Sequence, residues 1–150
     1  MELETQRLKI ISCTEESFSI ISTTKEYEFG PHIIMFLEKL TEDPSLSGWG
    51  VWFVIKKENN TIIGDIGFKG KASSEGIVEV GYGIVPAAQG KGYATEAVKE
   101  IIQWAFSHGN VNKVVAECKD NNFASIRILE KLHMNKIASE NNMLKWKLEK

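Results

Sequence analysis

The run EVGYGIVPAAQGKGYA at 79–94 constrains this chain more than any other stretch. An apolar strand pattern passes through a proline into a loop with two glycines, Gly90 and Gly92, and then into a helical pattern. Glycines let a ligand come close to the backbone, and the N-terminus of a helix carries roughly half a positive charge. The segment therefore predicts a site for a pyrophosphate or another anion, with Lys91 as an added cation.

Two familiar phosphate-binding motifs fit this loop less well. A P-loop requires Ser or Thr directly after its GK pair, but Gly92 follows Lys91. A dinucleotide GxGxxG motif is matched at two of its three glycines. However, the preceding strand belongs to an antiparallel group, and the remaining chain has no room for a second mononucleotide-binding half. Dinucleotide binding is therefore the weaker interpretation.

Hydrophobic periodicity divides the 150 residues into seven strands and four helices. Strands are predicted at 5–12, 51–57, 61–69, 77–85 and 113–118 and in a terminal hairpin over 136–147, and helices at 14–24, 32–41, 93–108 and 122–132. The strands cluster first and then alternate with helices. This order predicts a single α+β domain over residues 1–150 with a mixed sheet, parallel only where strands 77–85 and 113–118 flank a crossover helix.

Composition narrows the classes of partner and compartment. The formal net charge of −2 argues against a nucleic-acid-binding protein, because such proteins carry a clustered basic face. No apolar run approaches the roughly 20 residues of a membrane span, and the acidic start is unlike a signal peptide, so we expect a cytoplasmic protein. Cys13 and Cys118 belong to no CxxC or Cys/His pattern, so we expect buried thiols and no metal site.

Gln89, Gly92 and Ala94 resemble the Q/R-x-x-G-x-G/A loop of the GNAT acyltransferase superfamily. The ETQRL opening at 4–8, the EVGY strand at 79–82 and the run NNFASIRILEKL at 121–132 resemble its branch that acetylates ribosomal-protein N-termini. This resemblance implies a three-layer α/β/α fold with a mixed, mostly antiparallel sheet. It also implies direct transfer of the acetyl group of acetyl-CoA to a primary amine, without a covalent enzyme intermediate.

The resemblance leaves the acceptor and the oligomeric state open. His133 and Met134 stand where that branch usually has Gly-Phe, and the C-terminal hairpin that shapes the acceptor pocket is short. The acceptor is therefore a protein N-terminus or a small-molecule amine, and the chain a monomer or a homodimer. An acyl-CoA sensor without turnover and a nucleotide-binding regulator are the two alternatives to an enzyme.

Roles for individual residues follow from the resemblance. The loop is expected to hold the coenzyme A pyrophosphate, and the end of strand 77–85 and the start of helix 122–132 to contact the pantetheine arm. The cofactor-binding residues are then Ile84, Val85, Gln89, Gly90, Lys91, Gly92, Tyr93, Ala94 and Asn122. A strand N–H near Val85 is expected to polarise the acetyl carbonyl.

Glu79 and Ser125 are the candidate catalytic residues. An alkyl ammonium group with a pKa near ~10.4 must lose a proton before it can attack, and Glu79 is the candidate base, directly or through water. Ser125 is the candidate acid that protonates the leaving thiolate. Other roles remain open, because Glu79 also fits a solvated strand end and Asn122 a helix cap. Several more side chains fit either the acceptor and cofactor regions or plain packing and surface roles: Tyr27, Phe29, His32, Trp49, Trp52, Tyr82, Arg127 and Lys131.

Overall fold

The computed structural model describes residues 1–23 and 27–150, and an eight-stranded sheet runs through its centre. The strands are β1 (Glu2–Glu4), β2 (Leu8–Ser12), β3 (Val51–Lys56), β4 (Thr61–Phe68), β5 (Ile77–Ile84), β6 (Lys113–Lys119), β7 (Asn135–Glu140) and β8 (Met143–Glu149). In the described part of the chain four α-helices pack on it: α1 (Glu15–Ile21), α2 (Pro31–Glu42), α3 (Tyr93–Phe106) and α4 (Phe123–Lys131). The predicted mixed α+β class is confirmed.

The strand order across the sheet is β1-β2-β3-β4-β5-β6-β8-β7. Among the described strands, neighbours run antiparallel except β5 and β6, which are parallel and are joined by the crossover helix α3. In the β4–β5 pair, Asp65 lies opposite Gly83 and Gly67 lies opposite Gly81. This register places two glycines of β5 beside the middle of β4.

Alternation along the strands gives the sheet two apolar faces. Trp52 and Phe53 are neighbours in β3, and both are fully buried because they point to opposite sides. Trp52 packs with the α3 and α4 side chains around Ile101. Phe53 packs with the α2 side chains around Ile33. The result is the predicted three-layer α/β/α arrangement.

Local signals fix the ends of the helices. Thr14 accepts the Ser17 N–H in a capping box that starts α1, and Pro31 occupies the first turn of α2. Gly92 starts α3 with a left-handed φ of 81°, a conformation that other residues rarely adopt. The residue that allows this turn is thus one that the sequence places in the anion-binding loop.

The main difference from the predicted elements is at the N-terminus. The predicted first strand, 5–12, begins only at Leu8, because the Thr5 N–H donates to the Leu8 carbonyl at 2.9 Å in the turn that joins β1 to β2. The short polar segment β1 is an additional strand, formed by pairing with β2. Its three residues carry no hydrophobic pattern that reveals a strand. The end of the first predicted helix, Thr24, lies outside the described residues.

Candidate active site

The sheet opens between β5 and β6. Their pairing runs only from Ile77 opposite Lys113 to Glu79 opposite Val115, although β5 continues for five more residues. Beyond that point the Val85 N–H donates to the Ile63 carbonyl of β4 at 2.8 Å. Backbone groups alternate in direction along an antiparallel pair, so those of Tyr82 and Ile84 face the opening instead. A strand N–H near Val85 is the expected donor to the acetyl group, and since the Val85 N–H itself is engaged within the sheet, the nearest strand N–H that faces the opening is that of Ile84.

A glycine loop and a helix N-terminus stand at the end of this opening. Gly90 and Gly92 both have left-handed backbone conformations, with φ of 77° and 81°. Gly92 is the N-cap of α3, and no side chain caps the first turn of the helix. The N–H groups of that turn have no partner within the helix and are available to an anionic ligand.

Arg7 holds this loop in place from the N-terminal strands. Its Nη1 donates to the Lys91 carbonyl at 3.0 Å, its Nε pairs with Glu96 Oε1 at 2.7 Å, and its guanidinium lies 4.3 Å from the Tyr93 ring centre. Burial opposes the charged form of Glu96. Hydrogen bonds from Thr5 and Arg7 outweigh it and hold the pKa of Glu96 below its usual value. The interactions of the ETQRL opening are thus structural ones that fix the loop on α3.

A cavity of about 380 Å³ lies between the opening, the loop and α4. Gln89 closes one side, because its Nε2 donates to the Ile84 carbonyl at 2.8 Å. Lys91 and Val85 are not among the residues that line this cavity. Those that do include seven predicted cofactor residues: Ile84, Gln89, Gly90, Gly92, Tyr93, Ala94 and Asn122. Arg127 and Lys131 of α4 also line it, so two basic side chains one helical turn apart face the same space.

Ser125 and Tyr82 form a hydroxyl pair in the wall of this smaller cavity. Their oxygens are 2.9 Å apart, and the Asn122 side chain accepts the Ser125 N–H at 3.1 Å as the N-cap of α4. Burial raises the pKa of Tyr82, the charge at Cys118 adds to this, and the bond to Ser125 opposes it in part. Tyr82 therefore remains a neutral phenol that can donate a hydrogen bond. Besides packing on the core, it borders the cavity.

A larger cavity of about 840 Å³ lies on the opposite face of the sheet, beneath α2. Tyr82, Gly83 and Ile84 border both cavities, so the two meet at this backbone segment. Gly67 and Gly81 are part of its floor, and a methyl group added to Gly67 would overlap the Gly50 carbonyl directly before the neighbouring strand β3. Of the aromatic residues singled out in the sequence, Tyr27, His32, Trp49 and Tyr82 line it, while Trp52 is buried in the core and Phe29 packs against the core on the α2 side.

Asp65 is one of two carboxylates that line this larger cavity, with Glu28, and it is a residue that the sequence interpretation missed. The Tyr27 hydroxyl donates to Asp65 Oδ2, and His32 Nε2 lies 2.7 Å from Asp65 Oδ1. Burial, the bond to Asp65 and the charge of Asp65 together raise the pKa of Tyr27. One signal for it was available: Asp65 is the single charged residue in the strand TIIGDIGF.

Glu79 lies on the same face of β5 as Gly81 and Gly83, further from the meeting point of the cavities. Its carboxylate pairs with Lys69 Nζ at 2.8 Å, and its side chain is 28% exposed. Lys69 lines the larger cavity, whereas Glu79 does not. Glu79 thus lies outside the lining of both cavities, four residues before Gly83 along β5.

One known protein family matches the part of the chain that forms both cavities. A family model described as an acetyltransferase (GNAT) domain matches residues 20–135. The chain belongs to the GNAT acetyltransferase family. The match covers the helices and strands that form both cavities of this GNAT domain.

Curated relatives carry similar names. The chain is 34% identical over 105 residues to a Bacillus subtilis (strain 168) protein named Uncharacterized N-acetyltransferase YjdG, a match covering 70% of this chain and 62% of that protein. It is also 34% identical over 99 residues to Uncharacterized N-acetyltransferase p20 of Bacillus licheniformis, covering 65% and 56% of the two chains. This GNAT chain thus spans less than two thirds of the length of either relative.

Solved structures share the fold at low sequence identity. The ribosomal-protein-S5-alanine acetyltransferase of Vibrio fischeri superposes with a TM-score of 0.78 at 17% identity, covering 99% of this chain and 96% of that one. A ribosomal L7/L12 alpha-N-protein acetyltransferase in complex with coenzyme A gives 0.75 at 11% identity, covering 99% and 98%. At these identities the likeness concerns the GNAT fold alone.

Within residues 1–23 and 27–150, no helix is long and apolar enough to cross a membrane. The same residues contain no cluster of three or more His, Cys, Asp and Glu side chains arranged to hold a metal ion.

The raised pKa of Tyr82 predicts how stability responds to alkali. Folding favours its neutral form, so this contribution is complete below the unfolded tyrosine pKa of about 10 and is lost as the pH rises through the higher folded value. We expect the unfolding free energy of the wild type to fall more steeply above about pH 10 than that of Tyr82→Phe. Urea unfolding at a series of pH values measures both slopes. Equal slopes would show that Tyr82 ionises as freely in the folded protein as in the unfolded chain.

Proposed function

We propose that this chain is an acetyl-CoA-dependent N-acetyltransferase that moves the acetyl group directly to a primary amine. One observation carries the proposal: two cavities meet at the backbone of Tyr82, Gly83 and Ile84. The smaller one lies between a helix N-terminus and an open strand edge, and the larger one contains a carboxylate. Two substrates that enter from opposite faces of the sheet would meet there. The space at Gly83 is open, because a methyl group added to it would contact no atom within 4 Å.

The smaller cavity fits coenzyme A by the chemistry of its groups. The N–H groups of the loop and of the first turn of α3 would bind the pyrophosphate, and the paired basic side chains of Arg127 and Lys131 suit a further phosphate. The N–H and C=O groups of Tyr82 and the N–H of Ile84 would bind the pantetheine amides as an added strand, whereas the Ile84 carbonyl already accepts from Gln89. Seven residues of the proposed cofactor-binding set line this cavity: Ile84, Gln89, Gly90, Gly92, Tyr93, Ala94 and Asn122. Val85 and Lys91 complete the proposed set as their neighbours in the chain, outside the lining. When bound, acetyl-CoA supplies an activated acetyl thioester.

Ser125 is the proposed acid. When the Ser125 hydroxyl donates to the leaving thiolate, the Ser125 oxygen can accept a hydrogen bond from the Tyr82 hydroxyl. The distance of 2.9 Å between the two oxygens allows that bond. Tyr82 is suited to act as the donor to Ser125, because its raised pKa keeps the proton on the phenol. A thiolate whose conjugate acid has a pKa near ~8.5 is a good leaving group, so hydrogen-bond donation from Ser125 without full proton transfer is enough and the contribution of the pair is modest.

Glu79 is the proposed base, acting through water. Its carboxylate lies on the acceptor face of β5, and the absent side chain of Gly81 leaves room for water between it and Gly83. The ion pair with Lys69 orients the carboxylate but also competes with the incoming proton. Replacement of Glu79 therefore tests the assignment directly.

Direct transfer is favoured by the state of the two thiols. Cys13 and Cys118 are both buried, and neither lines the two cavities. Burial, aided by the charge of Asp65, raises the pKa of Cys13 to about 12, and burial also raises the pKa of Cys118. Thiols in this state are poor nucleophiles, which argues against an acetyl-cysteine intermediate.

The acceptor is proposed as a primary amine of a protein N-terminus or of a small molecule. The two proteins of similar structure are named as acetyltransferases of ribosomal proteins, which makes a protein N-terminus one candidate acceptor. The larger cavity is an open space of about 840 Å³ and accommodates a small molecule as well.

The proposed cofactor predicts a selective binding profile. Calorimetric titration should give micromolar dissociation constants for acetyl-CoA and coenzyme A and no saturable heat with NAD or ATP, because the pantetheine-binding strand edge serves only the first two. Binding of NAD or ATP in preference to coenzyme A would identify a nucleotide-binding regulator. Coenzyme A binding without thiol release across a panel of amines would identify an acyl-CoA sensor. Either result would contradict the proposed enzyme.

The proposed acid and base predict losses in kcat. We expect Glu79→Gln to lower kcat roughly 100-fold and Ser125→Ala to lower it about tenfold, at little cost in the KM for acetyl-CoA. Thiol release under saturating acetyl-CoA measures both, and Glu75→Gln, on an exposed turn outside both cavities, is the matched control. Wild-type kcat in Glu79→Gln would exclude Glu79 as the base, and wild-type kcat in Ser125→Ala would exclude Ser125 as the acid.

A further inference from the structure

The carboxylate of Asp65 is held in one orientation and has hydrogen-bond acceptor sites that its two partners do not use. The Tyr27 hydroxyl donates to one of its oxygens, and His32 Nε2 lies 2.7 Å from the other. An ionised carboxylate has about four acceptor sites, so roughly two remain after these bonds. Its side chain is 18% exposed and lines the larger cavity, so the remaining sites are open to a donor there.

The position of Asp65 brings it close to the meeting point of the two cavities. In the β4–β5 register it stands directly opposite Gly83. Residues opposite each other in an antiparallel pair have Cα atoms about 5 Å apart and side chains on the same face. Because Gly83 has no side chain, nothing from β5 covers Asp65 on that side. A group bound to Asp65 would lie next to the backbone shared by both cavities.

Charges around the cavity suit a ligand with one positive group. Its lining has two carboxylates, Asp65 and Glu28, and two ammonium groups, Lys39 and Lys69, besides the imidazole of His32. A pocket for a polycation would need an excess of carboxylates. Here two hydrogen-bond donors orient the carboxylate of Asp65, and the two lysines lie elsewhere in the lining.

We propose that Asp65, oriented by Tyr27 and His32, is the binding site for the ammonium group of the acceptor. The acceptor is a molecule with one ammonium group and a neutral or anionic remainder. This inference rests on the proposed acetyltransferase function and specifies its second substrate. Asp65 is a binding residue, and Tyr27 and His32 are positioning residues.

Ammonium binding can be measured without turnover by NMR. The chain has three histidines, and His32→Gln identifies the imidazole signal of His32. Titration of the coenzyme A complex with n-butylammonium chloride should shift the His32 signal saturably, because the ligand bonds to the same carboxylate. Tetramethylammonium chloride, which has equal charge but no N–H donor, should not reproduce this shift. A wild-type His32 signal that does not respond to n-butylammonium would overturn the proposal.

Variants separate binding from chemistry. With n-butylamine as acceptor, Asp65→Asn should raise the amine KM roughly 10- to 100-fold, while kcat changes less than about threefold. Asp65→Glu should restore part of the affinity, and Glu75→Gln should behave as the wild type. A loss confined to kcat with unchanged amine KM would contradict the binding role.

An amine panel tests the single-charge requirement. We expect n-butylamine and the dipeptide alanylglycine to have higher kcat/KM values than spermidine at equal concentration. A preference for spermidine would overturn the charge argument. A saturable His32 shift in a protein that acetylates none of these amines would retain the ammonium site and reject the acetyltransferase. Acetylation of these amines without any shift of the His32 signal would retain the acetyltransferase and reject the ammonium site.

Discussion

The early end of the pairing between β5 and β6 is the constraint on which the rest of the site depends. A parallel pair normally continues as long as both strands do, because unpaired buried backbone groups are costly. Here it stops at Glu79 opposite Val115, and the N–H and C=O groups of Tyr82 and Ile84 face an opening. A ligand with amide groups of its own can bind to this strand edge. The second cavity on the other face becomes useful because it reaches the same three residues of β5.

The elements around the opening support it from both ends. At one end the Arg7 side chain ties the Lys91 carbonyl to Glu96 and so fixes the glycine loop on α3. At the other, Asn122 caps α4 and orients Ser125 toward Tyr82. These contacts join groups of the protein to one another, so little further ordering of the loop or of the hydroxyl pair is needed on binding. The arrangement is preorganised for an anionic, amide-bearing ligand.

Most of the fold and half of the site could be predicted from the sequence because their signals are local. The left-handed Gly92 that starts α3, the cap at Asn122 and the apolar alternation of β5 are properties of a few consecutive residues. Asp65 could not be assigned, because its partners Tyr27 and His32 are 38 and 33 residues away. The same holds for Arg7, which bonds to a residue 89 positions away. Tyr82 fitted a core position by alternation, and only the tertiary structure brings Ser125 to its hydroxyl.

Amide hydrogen exchange along β5 tests the central claim most directly. The register directs the N–H groups of Gly81 and Gly83 to β4 and those of Tyr82 and Ile84 into the opening. Saturation with coenzyme A, measured by NMR-detected exchange, should therefore slow exchange at Tyr82 and Ile84 and leave Gly81 and Gly83 nearly unchanged. Unaltered exchange at Tyr82 and Ile84 in the saturated complex would mean that the ligand does not bind along this strand edge, and would contradict the account.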